Sequence, residues 1–274
     1  MTRQGLGAVT VVLTLLLAAC AVQRTREESA PRPTWTLRSS DEFTGAAGTR
    51  PDPARWSYDL GASGWGNAEL EDYTDAPANA ALDGRGNLTI VARYEGGRYT
   101  SARLKTQARY TQRYGRIEAR IRIPEGKGIW PAFWMLGDNI GEAGWPGSGE
   151  IDIMENVGYE PSVIHGSLHG PGFSAGNSLT AAETLPAGAW HEGFHVFAAE
   201  WSPHSIASFA DGTEYARFRP INVPAGGHWV FDHPFFVLLN VAVGGNWPGP
   251  PDGSTRFPQT MLVDYVRLYQ RRTS

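Results

Sequence analysis

The chain has 274 residues, 41% of them apolar, and a formal net charge of −4. That length suits one large domain or two small ones, and the apolar content excludes a disordered chain. The mild acidity argues against a nucleic-acid partner, which calls for a basic surface.

The first twenty residues read as a targeting segment. Arg3 brings a positive charge, and the apolar run GAVTVVLTLLLAA (7–19) is too short for a good membrane span. The run ends in LLAAC, with small residues before Cys20, the only cysteine. This resembles the bacterial lipobox, which implies a signal peptide over 1–19, cleavage before Cys20 and lipidation of its thiol. The protein is then expected in the cell envelope, meeting the membrane only through that anchor. One cysteine permits no intrachain disulfide. Residues 20–35 are polar, charged and proline-containing, the composition of a flexible tether. One folded domain over 36–271 remains, and a monomer is expected.

Within that domain NLTIVARY (87–94) follows the turn DGRG and is rich in β-branched residues. YGRIEARIRIP (114–124) alternates strictly, with Ile117, Ala119, Ile121 and Ile123 on one face and Glu118, Arg120 and Arg122 on the other. A short helix is expected around AAETLPAG (181–188). HVFAAEWS (195–202), SIASFADGTEYARF (205–218), FFVLLNVAVGG (235–245) and MLVDYVRLYQ (261–270) read as further strands. The Asp-Gly inside SIASFADGTEYARF signals a hairpin. Gly (33) and Pro (19) together form about a fifth of the chain, against roughly 12% usually. Their dispersal as turn punctuation suits many short strands. The expected class is all-β, two antiparallel sheets packed face to face. Ten tryptophans in such a chain suit a sugar binder, because the C–H faces of sugar rings stack on indoles.

GEIDIMENVG (149–158) carries the chemistry. In a regular strand Glu150 and Asp152 share a face, and Glu155 falls on the other with the isoleucines. A β-bulge at Met154 would shift the phase and return Glu155 to the acidic face. Two carboxyl groups on one face can flank a glycosidic bond, one as nucleophile and one as acid/base. A third would keep one of them protonated by like-charge repulsion. On spacing alone, the solvated face of a half-buried strand is the plainer reading.

The surrounding residues favour the first reading. GEIDIMENVG resembles the E-x-D-x-x-E signature of glycoside hydrolase family 16. GIWPAFWMLG (128–137), SLHGPGFS (167–174), FFVLLNVAVGGNWPG (235–249) and VDYVRLYQ (263–270) resemble its laminarinase-like branch, in the expected order. The resemblance implies a jelly-roll β-sandwich with a concave substrate cleft and retaining endo-hydrolysis of β-1,3-glucans. It implies Glu150 as nucleophile, Glu155 as acid/base and Asp152 as the residue that tunes them. It places Asn67, Arg103, Trp130, Trp134, Trp145, His169 and Trp247 at the substrate; His165 is read as structural. Glu71 and Asp72 depart from the family's more usual Gln and aromatic residue. Catalysis needs no cofactor, and a structural calcium is expected at Asp264 and the carbonyls of Glu42 and Gly86. The alternatives are another polysaccharide on the same fold (agar, carrageenan, galactan or mixed-linkage glucan) or a non-catalytic carbohydrate-binding protein.

Overall fold

A computed structural model describes Met1, Thr2 and residues 34–272. Cys20, the signal segment and nearly all of the tether lie outside the described residues. From Thr34 onward the strands are β1 (Trp35–Asp41), β2 (Ser57–Asp59), β3 (Glu71–Tyr73), β4 (Ala80–Leu82), β5 (Leu88–Glu95), β6 (Arg98–Ser101), β7 (Arg103–Lys105), β8 (Gly115–Arg122) and β9 (Ile129–Gly137). A four-residue helix, α1 (Ile140–Ala143), precedes β10 (Glu150–Glu155), β11 (Val163–His169), β12 (Leu179–Thr184), β13 (His195–Ser202), β14 (Ser205–Ala210), β15 (Thr213–Phe218), β16 (Phe235–Val243) and β17 (Gln259–Arg271).

These strands form two sheets. A seven-stranded sheet runs β12-β11-β10-β9-β16-β7-β2. A ten-stranded sheet runs β15-β14-β13-β8-β17-β5-β6-β3, with β1 also on β17 and β4 also on β5. All pairs are antiparallel except β3 with β6. The chain leaves β3, makes the β4–β5 hairpin and returns as β6, a crossover long enough to bring the two strands side by side in parallel.

Alternation explains the packing. Ile117, Ala119 and Ile121 of β8 are fully buried in a single large apolar core, shared with Ile151 and Ile153 of β10 and Val237, Leu239 and Val241 of β16. Each fully buried Ile, Leu or Val side chain contributes roughly 1.5–3 kcal/mol relative to exposure. The β14–β15 hairpin turns at Asp211 and Gly212, whose φ values of 47° and 81° are the paired left-handed conformation that Asp-Gly favours. The helix expected over 181–188 is instead strand through Thr184 and bend beyond it. Leu179–Thr184 pairs with β11 along its whole length, as Val163 with Thr184 through Leu168 with Leu179. Ladder hydrogen bonds to β11 outweigh the helix propensity of two alanines.

Candidate active site

The seven-stranded sheet aligns its polar residues in rows. One row crosses the sheet as His165, Glu155, Ala132, Asn240, Arg103 and Asp59; the next contains Ser167, Asp152, Trp134, Leu238 and Lys105; a third contains His169, Glu150, Leu136 and Phe236. Successive rows lie on the face opposite the core, because Ile151, Ile153 and Met154 of the same strand are fully buried in that core. All nine residues of β16 are buried, one edge of each pleat facing the core and the other the cleft floor.

A bulge makes this possible. Opposite β9, Asp152 pairs with Trp134 and Met154 with Phe133, so Ile153 is the extra residue. Opposite β11, Asp152 pairs with Ser167 and Glu155 with His165, so both Ile153 and Met154 face Gly166. The bulge expected at Met154 thus centres one residue earlier: Met154 keeps a partner on β9 and Ile153 has none on either side. Both side chains fill the core, and Glu155 returns to the row of acids. Gly149 leads into the strand with φ of 72°, and an added Cβ there would crowd Val230, Phe235 and Phe231 at 3.0–3.2 Å.

Burial and mutual repulsion set the charges. Asp152 is 3% exposed and Glu155 9%. Burial raises Glu150 to about 8, with Asp152 adding to the rise; His169, the Trp145 N–H and Arg103 oppose it. Burial raises Asp152 to about 8. Glu155 stands well above the usual carboxylate range through burial and the charges of Asp152 and Glu150. Trp145 Nε1 donates to Glu150 Oε2 at 3.0 Å, and Trp130 Nε1 donates to Glu155 Oε1 at 3.0 Å. His169 Nε2 lies 3.1 Å from Asp152 Oδ2 and 3.8 Å from Glu150 Oε1, contacts rather than aligned hydrogen bonds. Its Nδ1 accepts the Ala175 N–H at 3.0 Å, so in the neutral ring Nε2 carries the proton.

Aromatic walls flank the acids. Trp247 meets Trp130 edge-on at 5.4 Å and His165 at 5.0 Å, and Trp145 lies 5.9 Å from His169. The Arg103 guanidinium is 4.5 Å from the Trp134 ring centre and 4.9 Å from that of Trp65, with Nε 3.0 Å from Asp59 Oδ2. Trp134 Nε1 donates to Asn240 Oδ1 (2.7 Å), Asn240 Nδ2 to Tyr73 Oη (3.0 Å), and Tyr73 Oη to Glu69 Oε2 (3.2 Å). Asn67 Nδ2 donates to the other oxygen of Glu69 at 3.2 Å, which ties Asn67 to the cleft floor through hydrogen bonds rather than sequence proximity.

The structure therefore brings Glu150, Asp152, Glu155, Trp130, Trp145, His169 and Trp247 into one contact network. Arg103, Trp134 and Asn67 form a second cluster on the same sheet. Sequence reasoning missed Trp65 and Asn240; His165, read as structural, lies beside Glu155 in the ladder and against Trp247. The signals were present: His165 has the strand parity of His169, and Asn240 is the one polar residue in FFVLLNVAV. Glu42, Gly86 and Asp264 lie apart, at a corner of the ten-stranded sheet. Asp41 pairs there with Val266, and Leu88 with Val263. Asp264 Oδ2 is held by Arg120 Nη1 at 2.7 Å, and both Glu42 carboxylate oxygens by Arg267 at 2.8–2.9 Å.

Buried carboxyl groups in neighbouring rows on one face of a two-sheet sandwich, walled by indoles, define a glycoside hydrolase. The model of glycosyl hydrolases family 16 matches residues 70–267, and the chain belongs to that family. It is 42% identical to a beta-glucanase of Rhodothermus marinus over 269 residues, 94% of this chain and 93% of the relative. Its fold matches the laminarinase catalytic domain from Thermotoga maritima (TM-score 0.81, 45% identity, 87% of this chain and 99% of that one). It also matches the endo-beta-1,3-glucanase from Pyrococcus furiosus (TM-score 0.82, 45% identity, 88% and 97%).

Proposed function

We propose that the protein hydrolyses internal β-1,3-glucosidic bonds of laminarin-type glucans by double displacement with retention. The observation that carries this is the bulge, which puts Glu150 and Glu155 on one face beside Asp152 in a chain whose relatives include β-1,3-glucanases. The surroundings of each acid support the division of labour. Glu150, which burial raises while His169, Trp145 and Arg103 favour its charged form, attacks the anomeric carbon. Glu155, held well above the usual carboxylate range by burial and the charges of Asp152 and Glu150, delivers its proton to the departing oxygen, then takes one from the water that releases the sugar. Asp152 stands between the two and tunes them, with His169 Nε2 3.1 Å from its Oδ2. Trp130, Trp134, Trp145 and Trp247 offer stacking surfaces to the glucan, with Arg103 and Asn67 reaching its hydroxyls.

A panel of laminarin, curdlan, lichenan, agarose and carrageenan tests the substrate: reducing ends from agarose but none from laminarin would overturn it. Glu150→Gln tests the nucleophile, with an expected loss of at least 10³-fold in kcat from a folded protein, given that general acid–base assistance alone supplies about 10²–10⁴-fold.

We also propose that the protein is exported and lipid-anchored at Cys20, acting as a monomer; an unmodified Cys20 in the mature protein refutes the anchor. A calcium ion at Glu42, Gly86 and Asp264 is proposed in a structural role only. Of the expected ligands only Asp264 offers a carboxylate, and Arg120 already holds it. Such an ion must displace Arg120 from Asp264, so chelator should leave the unfolding temperature of the wild type nearly unchanged and calcium should stabilise Arg120→Ala more.

A further inference from the structure

The bulge that phases Glu155 leaves Ile153 without a cross-strand partner on either β9 or β11. A buried carbonyl released from its ladder needs another donor. That donor comes from the opposite sheet. Tyr215 of β15 lies 62 residues further along the chain, packs against the core and donates its hydroxyl to the Ile153 carbonyl at 2.5 Å. Gly166, the residue facing the bulge on β11, leaves room for it. A Cβ on Gly166 would lie 2.7 Å from Tyr215 Oη, 3.1 Å from Cε2 and 3.2 Å from Cζ. The backbone of Gly166 has an extended φ, so its lack of a side chain serves space and not conformation. Burial, together with the charges of Glu155, Asp152 and Glu183, raises the phenol despite a hydrogen bond with Ser208, so it stays a donor at any working pH.

We propose that Tyr215 is a positioning residue for the acid/base carboxyl: its hydroxyl pins the Ile153 carbonyl, with Gly166 as the slot it occupies, and so fixes the bulge that aims Glu155. This rests on the assignment of Glu155 as acid/base. The geometry separates Tyr215 from the substrate: it approaches β10 from the core side, while the acids face the cleft. Its effect is therefore on aim. Glu150 and Asp152 precede the bulge and are paired regularly on both sides, so the anchor acts on Glu155 and spares the nucleophile.

The leaving group separates these roles. Cleaving laminarin requires a proton for the departing sugar, whereas a dinitrophenyl glycoside of a short β-1,3-glucan expels a stable phenolate and requires none. Glu155→Gln, Tyr215→Phe and Gly166→Ala are compared on both substrates by kcat/KM, which reports the first chemical step, alongside thermal unfolding. Glu155→Gln should lose most activity on laminarin and keep it on the activated glycoside; equal losses there refute the acid/base assignment itself. Given that control, Tyr215→Phe and Gly166→Ala should each lower kcat/KM on laminarin about 10- to 100-fold, the scale of a displacement near 1 Å. On the activated glycoside they should change it less than about twofold. No loss on laminarin, or equal loss on both substrates, overturns the proposal. Tyr215→Phe keeps the ring in the core, and Gly166→Ala keeps the hydroxyl while displacing it, so the two disturb the anchor from opposite sides.

Discussion

Trp145 has 49% of its surface exposed, yet its indole N–H reaches Glu150. An exposed indole alone gains little from burial; the hydrogen bond and the nearby His169 give it a place in the mechanism. A donor to the charged form lowers a carboxyl's pKa. Removing it in Trp145→Phe should therefore raise Glu150, and the acidic limb of kcat/KM against pH should move upward. A charge-assisted bond in a half-exposed position is worth about 1 kcal/mol after solvent screening, so the expected displacement is about 0.5–1 pH unit. A downward or absent movement would mean that the indole serves only as a wall. The basic limb, set by the proton on Glu155 and its Trp130 donor, should stay in place.

At the scale of elements, the catalytic strand was readable because its departure from alternation had one cheap remedy. Ile151, Ile153 and Met154 are too apolar to face water, and Glu155 too polar to face the core, so an extra residue had to be absorbed in a bulge. What remained hidden was which residue loses its partner, since register is set by β9 and β11 and not by β10 itself. Strictly alternating β8 was plain for the same reason that β12 was not. Its neighbours bury one face of β8 completely, whereas β12 ends its sheet, half-exposed residues alternating with exposed ones. The Arg103 sandwich was also out of reach, because Trp65, Arg103 and Trp134 come from a loop and two separate strands. The loop after β16 is pinned by Trp247 against Trp130 and His165. Edge-on aromatic contacts add about 0.5–1.5 kcal/mol each beyond burial. Trp247→Ala should accordingly raise KM for laminarin about 5- to 30-fold while kcat changes less than about threefold. A fall in kcat with KM unchanged would move Trp247 from wall to catalytic support, through Trp130 and Glu155.

At the scale of the whole molecule, an acid outside the catalytic row shows how the fold bears buried charge. Glu71 is fully buried, accepts the Val243 N–H at 2.6 Å and leaves its second oxygen unpartnered. Burial, followed by the neighbouring Glu69 carboxyl, raises it to about 9. Protonated, it is a neutral donor and acceptor of nearly the shape of Gln, the residue more usual at this position in the family. The departure at Glu71 is thus chemically small below pH 9 but thermodynamically costly. An unfolded Glu titrates near 4.5, so between about pH 4.5 and 9 the folded chain holds a proton that the unfolded chain releases. Stability must fall as pH rises through that window, in the direction opposite to a salt-bridged carboxylate. Glu71→Gln keeps the acceptor for Val243 while removing the linked proton. It should stabilise the protein by on the order of 2 kcal/mol at pH 7, or about 5 °C in unfolding temperature. The gain should shrink toward pH 5 and grow toward pH 8. Thermal unfolding of both proteins across that range decides it: a gain independent of pH would assign the effect to packing, and no gain at pH 8 would mean that Glu71 folds as an anion.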